Sequence, residues 1–440
     1  MRLARHRHIP ASPPRARRIA VAILAGALIA TSVTTVATAA GPSNPSVINF
    51  WNDITVKVVV TDAGKGSTEA FIWYAFESAA VYNAVVGITG RYTRYKWNPV
   101  GGLAVGASTQ AAAASAAYHL LFRYFSATSA ARLNTAYAES LAAIPNGRAK
   151  TLGIDFGRRA AARIAKLRVG DGRGAVLPFT MPLGPGVWRP TSAAQFQNTW
   201  LSELRPLAIN SPEQFRAGPP PALNSAKYAQ EFNEVKSLGS ATSATRTASQ
   251  TETAKFFSDI AIGPLQASLR DLATRRNMSI SDRARLFAAV NMSIADTIIV
   301  VWDSKFHYGF WRPVTAIQLA DTDGNAATAP DPTWTSLITN PPYPDHTSGL
   351  TSVIGSLTRS VSRVLNHAGG RVSLNITSTA AGLPGPPLTR HYEFAGRLNA
   401  EAIDARVWSG LHFRTADVVG SLQGRRVADW ILDRYFKPRT

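Results

Sequence analysis

At 440 residues, 45% of them hydrophobic and 17% charged, the chain carries enough apolar material for one large core or two moderate ones, which excludes a disordered chain. With no cysteine, it can build no disulfide, zinc-thiolate site, iron–sulfur cluster or cysteine nucleophile. The formal charge of +20 falls to +14 once the six arginines among residues 1–18 are set aside, leaving 41 basic against 27 acidic residues. What remains is scattered in doublets such as Arg158-Arg159, Arg275-Arg276 and Arg425-Arg426. These form no stripe with interleaved aromatics, so the charge argues against a nucleic-acid partner and for attraction of small anions.

In chain order, the arginine-rich start is followed by an uncharged, Ala/Thr-rich run from Ile19 to Ala40. That run closes on Ala37-Thr38-Ala39 ahead of Gly41-Pro42. This is the pattern of a secretory signal peptide over residues 1–39, predicting a secreted or extracytoplasmic protein with no stable membrane insertion after cleavage. An uncleaved anchor is the competing reading, since about 20 apolar residues can just span a bilayer. Arg17-Arg18 is compatible with twin-arginine export.

Apolar or alanine residues at helical spacing then predict helices over 67–88, 103–125, 128–143, 148–167, 224–238, 245–274, 280–304, 347–366 and 392–409. Strand signals are confined to Ile54–Thr61 and Arg371–Ile376. The stretch from Gly170 to Pro221 is rich in Pro, Gly and Trp without a period. Its aromatics Phe179, Trp188, Phe196 and Trp200 call for burial, so it reads as an ordered wrap between two helical halves. The expectation is an all-α domain over 47–440, with an N-terminal half at 47–170, an irregular connection at 171–222 and a C-terminal half at 223–440. Asp321-Thr322-Asp323-Gly324-Asn325 has the look of a calcium loop, but Pro332 stands where the closing glutamate belongs, and a plain turn is expected.

Chemistry-bearing residues gather after position 300. In Trp302–Pro313, Lys305 and Arg312 lie seven apart. On an unbroken helix they would share a face about 10 Å apart along the axis, able to close on one anion, or they could serve a helix C-terminus. Pro341–Leu350 delivers Asp345, His346, Thr347, Ser348 and Gly349 to a helix start, which makes either an oxyanion cradle or an ordinary N-cap. Arg406 and His412 are six apart and would diverge by roughly 120° on one straight helix. They converge only if the helix ends near Ser409-Gly410, and otherwise His412 reads as a core histidine.

Taken together, Lys305 and Arg312, then Ser348-Gly349, then Arg406 and His412 resemble the three-part signature of the vanadium-dependent haloperoxidases and their relatives, the type 2 phosphatidic acid phosphatases. Phe215–Pro221, Arg246–Thr251, Phe310–Ile317 and Leu411–Arg414 look like the bacterial haloperoxidase branch. The resemblance implies an all-α helical bundle with long irregular connections. It also implies vanadate as cofactor, with phosphate able to occupy the same site, and hydrogen peroxide with halide or a small organic acceptor as substrates; a homodimer is compatible with it.

By the same resemblance Lys305, Arg312 and Arg406 neutralise the oxygens, Ser348 and the Gly349 N–H add hydrogen bonds, and His412 meets vanadium or, in a phosphatase, attacks phosphorus. One departure stands out. The family reads Pro-Ser-Gly-His where this chain reads Thr347-Ser348-Gly349-Leu350, so the acid–base histidine is a leucine. His346 is the candidate replacement, with Asp345 and His307 behind it. An enzyme with peroxidase activity is the leading reading, a phosphomonoester hydrolase on the same site the alternative, and a non-catalytic oxyanion binder the third.

Overall fold

A computed structural model describes residues 44–439 apart from Leu103; the proposed signal peptide lies outside the described residues. Twelve α-helices make up the described chain. They are α1 (Ser46–Val56), α2 (Ser67–Thr89), α3 (Thr109–Ala142), α4 (Arg148–Leu167), α5 (Ala226–Leu238), α6 (Ala248–Ser258), α7 (Ile262–Arg275), α8 (Ile280–Tyr308), α9 (Pro313–Gln318), α10 (Gly349–Val364), α11 (Ala395–Trp408) and α12 (Arg414–Arg434). Among the described residues the sole sheet is an antiparallel pair, β1 (Arg371–Ser378) and β2 (Leu388–Phe394). The molecule is thus mostly helical, as the periodicity implies.

Three local expectations change. The β-branched run Ile54–Thr61 is not a strand: it completes α1 and continues as a π-helical turn, Lys57–Asp62, whose Val58 and Val59 are buried. Packing has overridden the strand preference of Val, Ile and Thr. The windows 103–125 and 128–143 fuse into one helix, α3. The window 245–274 splits, because Pro264 is accommodated only in the first turn of a new helix, where its missing N–H has no intrahelical partner to lose.

α8 is the axis of the fold. It is buried along nearly all its length from Ile280 to Lys305, and α2, α10 and α12 pack around it. α2 and α8 are each long and apolar enough to cross a membrane, but here they are core helices, 89% and 94% buried over their most apolar stretches. α10 and α12 come together through small residues. A Cβ on Gly424 would lie 2.0 Å from the Ser352 carbonyl oxygen, and one on Gly420 would lie 2.8 Å from that of Ser348. That backbone approach seats the start of α10 against the start of α12.

From Gly170 to Pro221 the chain runs without α-helix over the surface of α8. Phe179, Trp188, Phe196 and Phe306 cluster there, Phe179 meeting the other three edge to face, with ring centroids 5.5–6.2 Å apart. Asp323 bonds the Asn325 amide and the Thr328 hydroxyl, closing its loop as a turn.

Candidate active site

Lys305 lies in the last turn of α8, and Gly309 (φ +51°) ends that helix in the left-handed region before Arg312 becomes the N-cap of α9. The two cations therefore do not share a helix face, contrary to the spacing argument; the turn between them swings Arg312 back toward Lys305. α11 stops at Trp408, and Gly410 (φ +74°) reverses the chain, so His412 hangs in the short link before α12. Ser348 holds the N-cap position of α10, yet its hydroxyl caps nothing. Its own amide donates to the Ala416 carbonyl at 3.0 Å, fixing the α10 start to α12. The first-turn N–H groups of Gly349 and Leu350 are left without intrahelical partners, at the positive end of the helix dipole.

These residues, spread over more than 100 positions of the chain, are buried together: Lys305, Arg312 and Ser348 show no exposure, His412 1% and Arg406 9%. The Lys305 ammonium donates to the carbonyls of Pro344 (2.6 Å) and Asp345 (3.0 Å), which leaves its third proton free. Arg312 donates through Nε to Tyr343 O (2.9 Å) and through Nη1 to Leu411 O (2.8 Å), and Nη1 also lies 3.2 Å from His412 Nε2. Because a guanidinium only donates, His412 Nε2 must carry a lone pair and the ring proton must sit on Nδ1. Nδ1 is 2.7 Å from the Asp345 carboxylate, which accepts that proton's hydrogen bond. Burial pushes His412 well below the ordinary imidazole range, and Arg312, Lys305 and Arg406 push the same way. Its Nε2 is therefore bare at neutral pH.

The site is short of an anion. Arg312 Nη2, Arg406 Nε and Ser348 Oγ are buried with no hydrogen-bond partner among the described residues. Burial, reinforced by Arg312, drives the Lys305 ammonium well below its usual range. Three cations so placed are costly unless a compensating charge joins them, and orphaned donors converging beside an N-terminal helix turn fit a tetrahedral oxyanion.

The candidates for the missing acid are placed less favourably. His307 is exposed, whereas the oxyanion residues are buried, so it is discarded. Asp345 is committed to His412. His346 is buried, donates from Nε2 to the Gly218 carbonyl (2.8 Å) and meets Tyr308 edge to face. Burial holds its pKa down to about 4, so it is neutral at pH 7 and braces the Phe215–Pro221 segment. The same segment is pinned by a bidentate ion pair between Arg216 and Asp303, both bonds 2.7 Å. Leu350 lines a cleft of about 190 Å³ with Phe71, Trp302, Tyr343 and Val353, and this cleft reaches Gly349 and Arg406. Ser67, Thr68 and Ser258 share its lining, so its walls are mixed. Asp417, in the first turn of α12, was not anticipated from the sequence: it is fully buried beside Ser348 and Arg406, and neither carboxyl oxygen has a partner among the described residues.

Residues 285–439, which contain Lys305, Arg312, Asp345, Ser348, Arg406, His412 and Asp417, match the family described as the VCPO second helical-bundle domain. The chain is similar to the vanadium haloperoxidases. The vanadium chloroperoxidase of Curvularia inaequalis is 26% identical over 174 residues, a match covering 30% of this chain and 28% of that protein. The chain thus spans under a third of the length of this curated relative. The fold likeness is wider. A bacterial vanadium-dependent iodoperoxidase superposes with a TM-score of 0.72 at 21% identity, covering 90% of this chain and 98% of the other. A bacterial vanadium-dependent chloroperoxidase in its holo form gives 0.67 at 16% identity, over 86% and 93%. The likeness in fold therefore extends over most of the chain, beyond the residues that the family model matches.

Proposed function

We propose that the protein is an exported, vanadate-binding peroxidase of the haloperoxidase kind, oxidising halide or a small organic acceptor with hydrogen peroxide. The observation that carries this reading is the convergence of Lys305, Arg312, Ser348 and Arg406, with unpartnered donors, around a histidine whose Nε2 is held bare. Vanadate would supply the activation of peroxide toward a two-electron oxidation. Lys305, Arg312 and Arg406 would neutralise the anion, Ser348 and the Gly349 N–H would hydrogen-bond it, and His412 Nε2 would meet the metal. Asp345 keeps the His412 proton on Nδ1, so that Nε2 remains the donor atom. Burial of Lys305, Arg312, Ser348 and His412 takes these groups out of water, which strengthens each charge interaction among them.

Export is inferred from residues 1–40 alone. The test of the activity is oxidation of iodide or bromide by hydrogen peroxide, measured on vanadate-free protein before and after vanadate is added. Oxidation that appears only with vanadate is expected, and the same rate without it contradicts the reading. A bare, carboxylate-oriented imidazole is also a competent nucleophile toward phosphorus, so hydrolysis of an aryl phosphate by the vanadate-free protein is the observation that would favour a phosphatase.

A further inference from the structure

The oxyanion site has cations and an oriented histidine, but the position of the family's acid–base histidine is filled by Leu350, and His346 is turned onto Gly218. Asp417 is the one buried acid beside the site with no assigned task. It is fully buried, and neither of its oxygens has a hydrogen-bond partner among the described residues. The backbone bond from Ser348 N to Ala416 O brings its side chain next to the Ser348 hydroxyl, and Arg406, another holder of an unpartnered buried atom, is its nearest source of positive charge. A buried carboxyl left without partners is expensive, so an occupant should satisfy it. Arg406 Nε and the Asp417 oxygens, with the Ser348 hydroxyl close enough to Asp417 to draw its pKa down, place donors and acceptors together in a set complementary to a single ligand bearing both bare and protonated oxygens.

We propose that Asp417 is the proton-sharing partner of the bound oxyanion, its carboxyl and one oxyanion oxygen held together by one proton between them. The inference rests on the oxyanion reading above and extends it. Two oxygens that are both acceptors repel unless a proton joins them, so vanadate or phosphate, which retain hydroxyl groups near neutral pH, suit this partner. Burial raises Asp417 well above the ordinary carboxylate range, helped by Asp345 and opposed by Ser348, Arg406 and Arg414, so the carboxyl is able to retain that proton. Asp417 thereby offers the site a proton that the Leu350 side chain cannot supply.

The alternative is that Asp417 is only a counter-charge to Arg406, and the two roles differ in sign. Removing a counter-charge strengthens anion binding, whereas removing a hydrogen-bond partner weakens it. Isothermal titration of the vanadate-free protein with inorganic phosphate, on the unaltered chain, Asp417→Asn and Asp417→Leu, separates them. An amide can still donate to the oxyanion, so Asp417→Asn should bind no tighter than the unaltered chain, and Asp417→Leu should bind about tenfold or more weaker. Equal or tighter binding by Asp417→Leu, or tighter binding by Asp417→Asn, overturns the assignment; the asparagine result stands by itself if the leucine variant does not fold. If the unaltered chain binds neither phosphate nor vanadate, the oxyanion reading itself fails and this inference with it.

Discussion

His412 is the residue on which most of the chemistry turns. Its ring is fixed from both sides, by Asp345 at Nδ1 and Arg312 at Nε2. His412→Ala should abolish vanadate-dependent oxidation, a loss of at least about a hundredfold, while thermal unfolding stays cooperative. An active, folded variant would show that another atom meets the metal. Leu350 makes the opposite prediction: Leu350→His should raise turnover by about tenfold or more, because a placed acid–base group commonly contributes on the order of a hundredfold. Steady-state kinetics that show no gain would mean that Asp417 or water already supplies the proton. The residues of this pocket were readable to different degrees. Lys305, Arg312, Ser348, Gly349, Arg406 and His412 stand out because short motifs hold them, and the helix end at Gly410 that lets Arg406 and His412 converge is written in the glycine itself. Asp345 could be named only as a spare acid. Its bond to His412 spans 67 residues, and no spacing rule reports a contact of that kind.

Among the elements, long alanine-rich or apolar windows were legible and α12 was not. Large apolar residues, Val427, Ile431 and Leu432, are buried only in its second half; over the first half the buried face includes Ala416, Gly420, Ser421 and Gly424, so close backbone approach there replaces the apolar stripe by which a helix is recognised. That also hid Asp417, which lies on the same face. The close approach is testable. Gly424→Ala puts a methyl 2.0 Å from Ser352 O and should lower stability by roughly 1–3 kcal/mol in a thermal or denaturant unfolding experiment, since the helices must part. A variant as stable as the parent would show that α10 and α12 are not held at this distance.

α2 supplies a second element-scale prediction. Burial raises the Glu77 carboxyl from 4.5 to about 8, with only the neighbouring Ser78 hydroxyl to offset it. The folded protein then holds a proton that the unfolded chain releases above its ordinary pKa. The stability from Glu77 is complete below about pH 4.5, declines as pH rises, and is gone above about pH 8. Glu77→Gln keeps the shape of the protonated acid without its titration. Its melting temperature relative to the parent should therefore rise between pH 5 and pH 8.5, and a constant difference would show that Glu77 is ionised in the fold.

For the whole molecule, the helical class follows from composition and period, whereas the course of residues 170–221 over α8 does not. Aromatic burial predicts that such a segment is ordered, but the partner it finds, Phe306 at the end of α8, is set by packing. The same wrap carries Arg216 and Gly218 to the back of the oxyanion pocket, so the fold closes the site from behind while the Leu350 cleft opens it in front. Three buried cations make the ligand-free protein store repulsion. Saturating phosphate or vanadate, at about a hundred times its dissociation constant, should add about 2.7 kcal/mol, read as a higher melting temperature that Lys305→Met reduces.

The most direct measurement is a crystal structure of the protein grown with vanadate. The account predicts vanadium within bonding distance of His412 Nε2, its oxygens against Lys305, Arg312, Ser348, the Gly349 N–H and Arg406, and one of them against Asp417. Vanadate bound elsewhere, or this pocket filled by water alone at saturating vanadate, would contradict it.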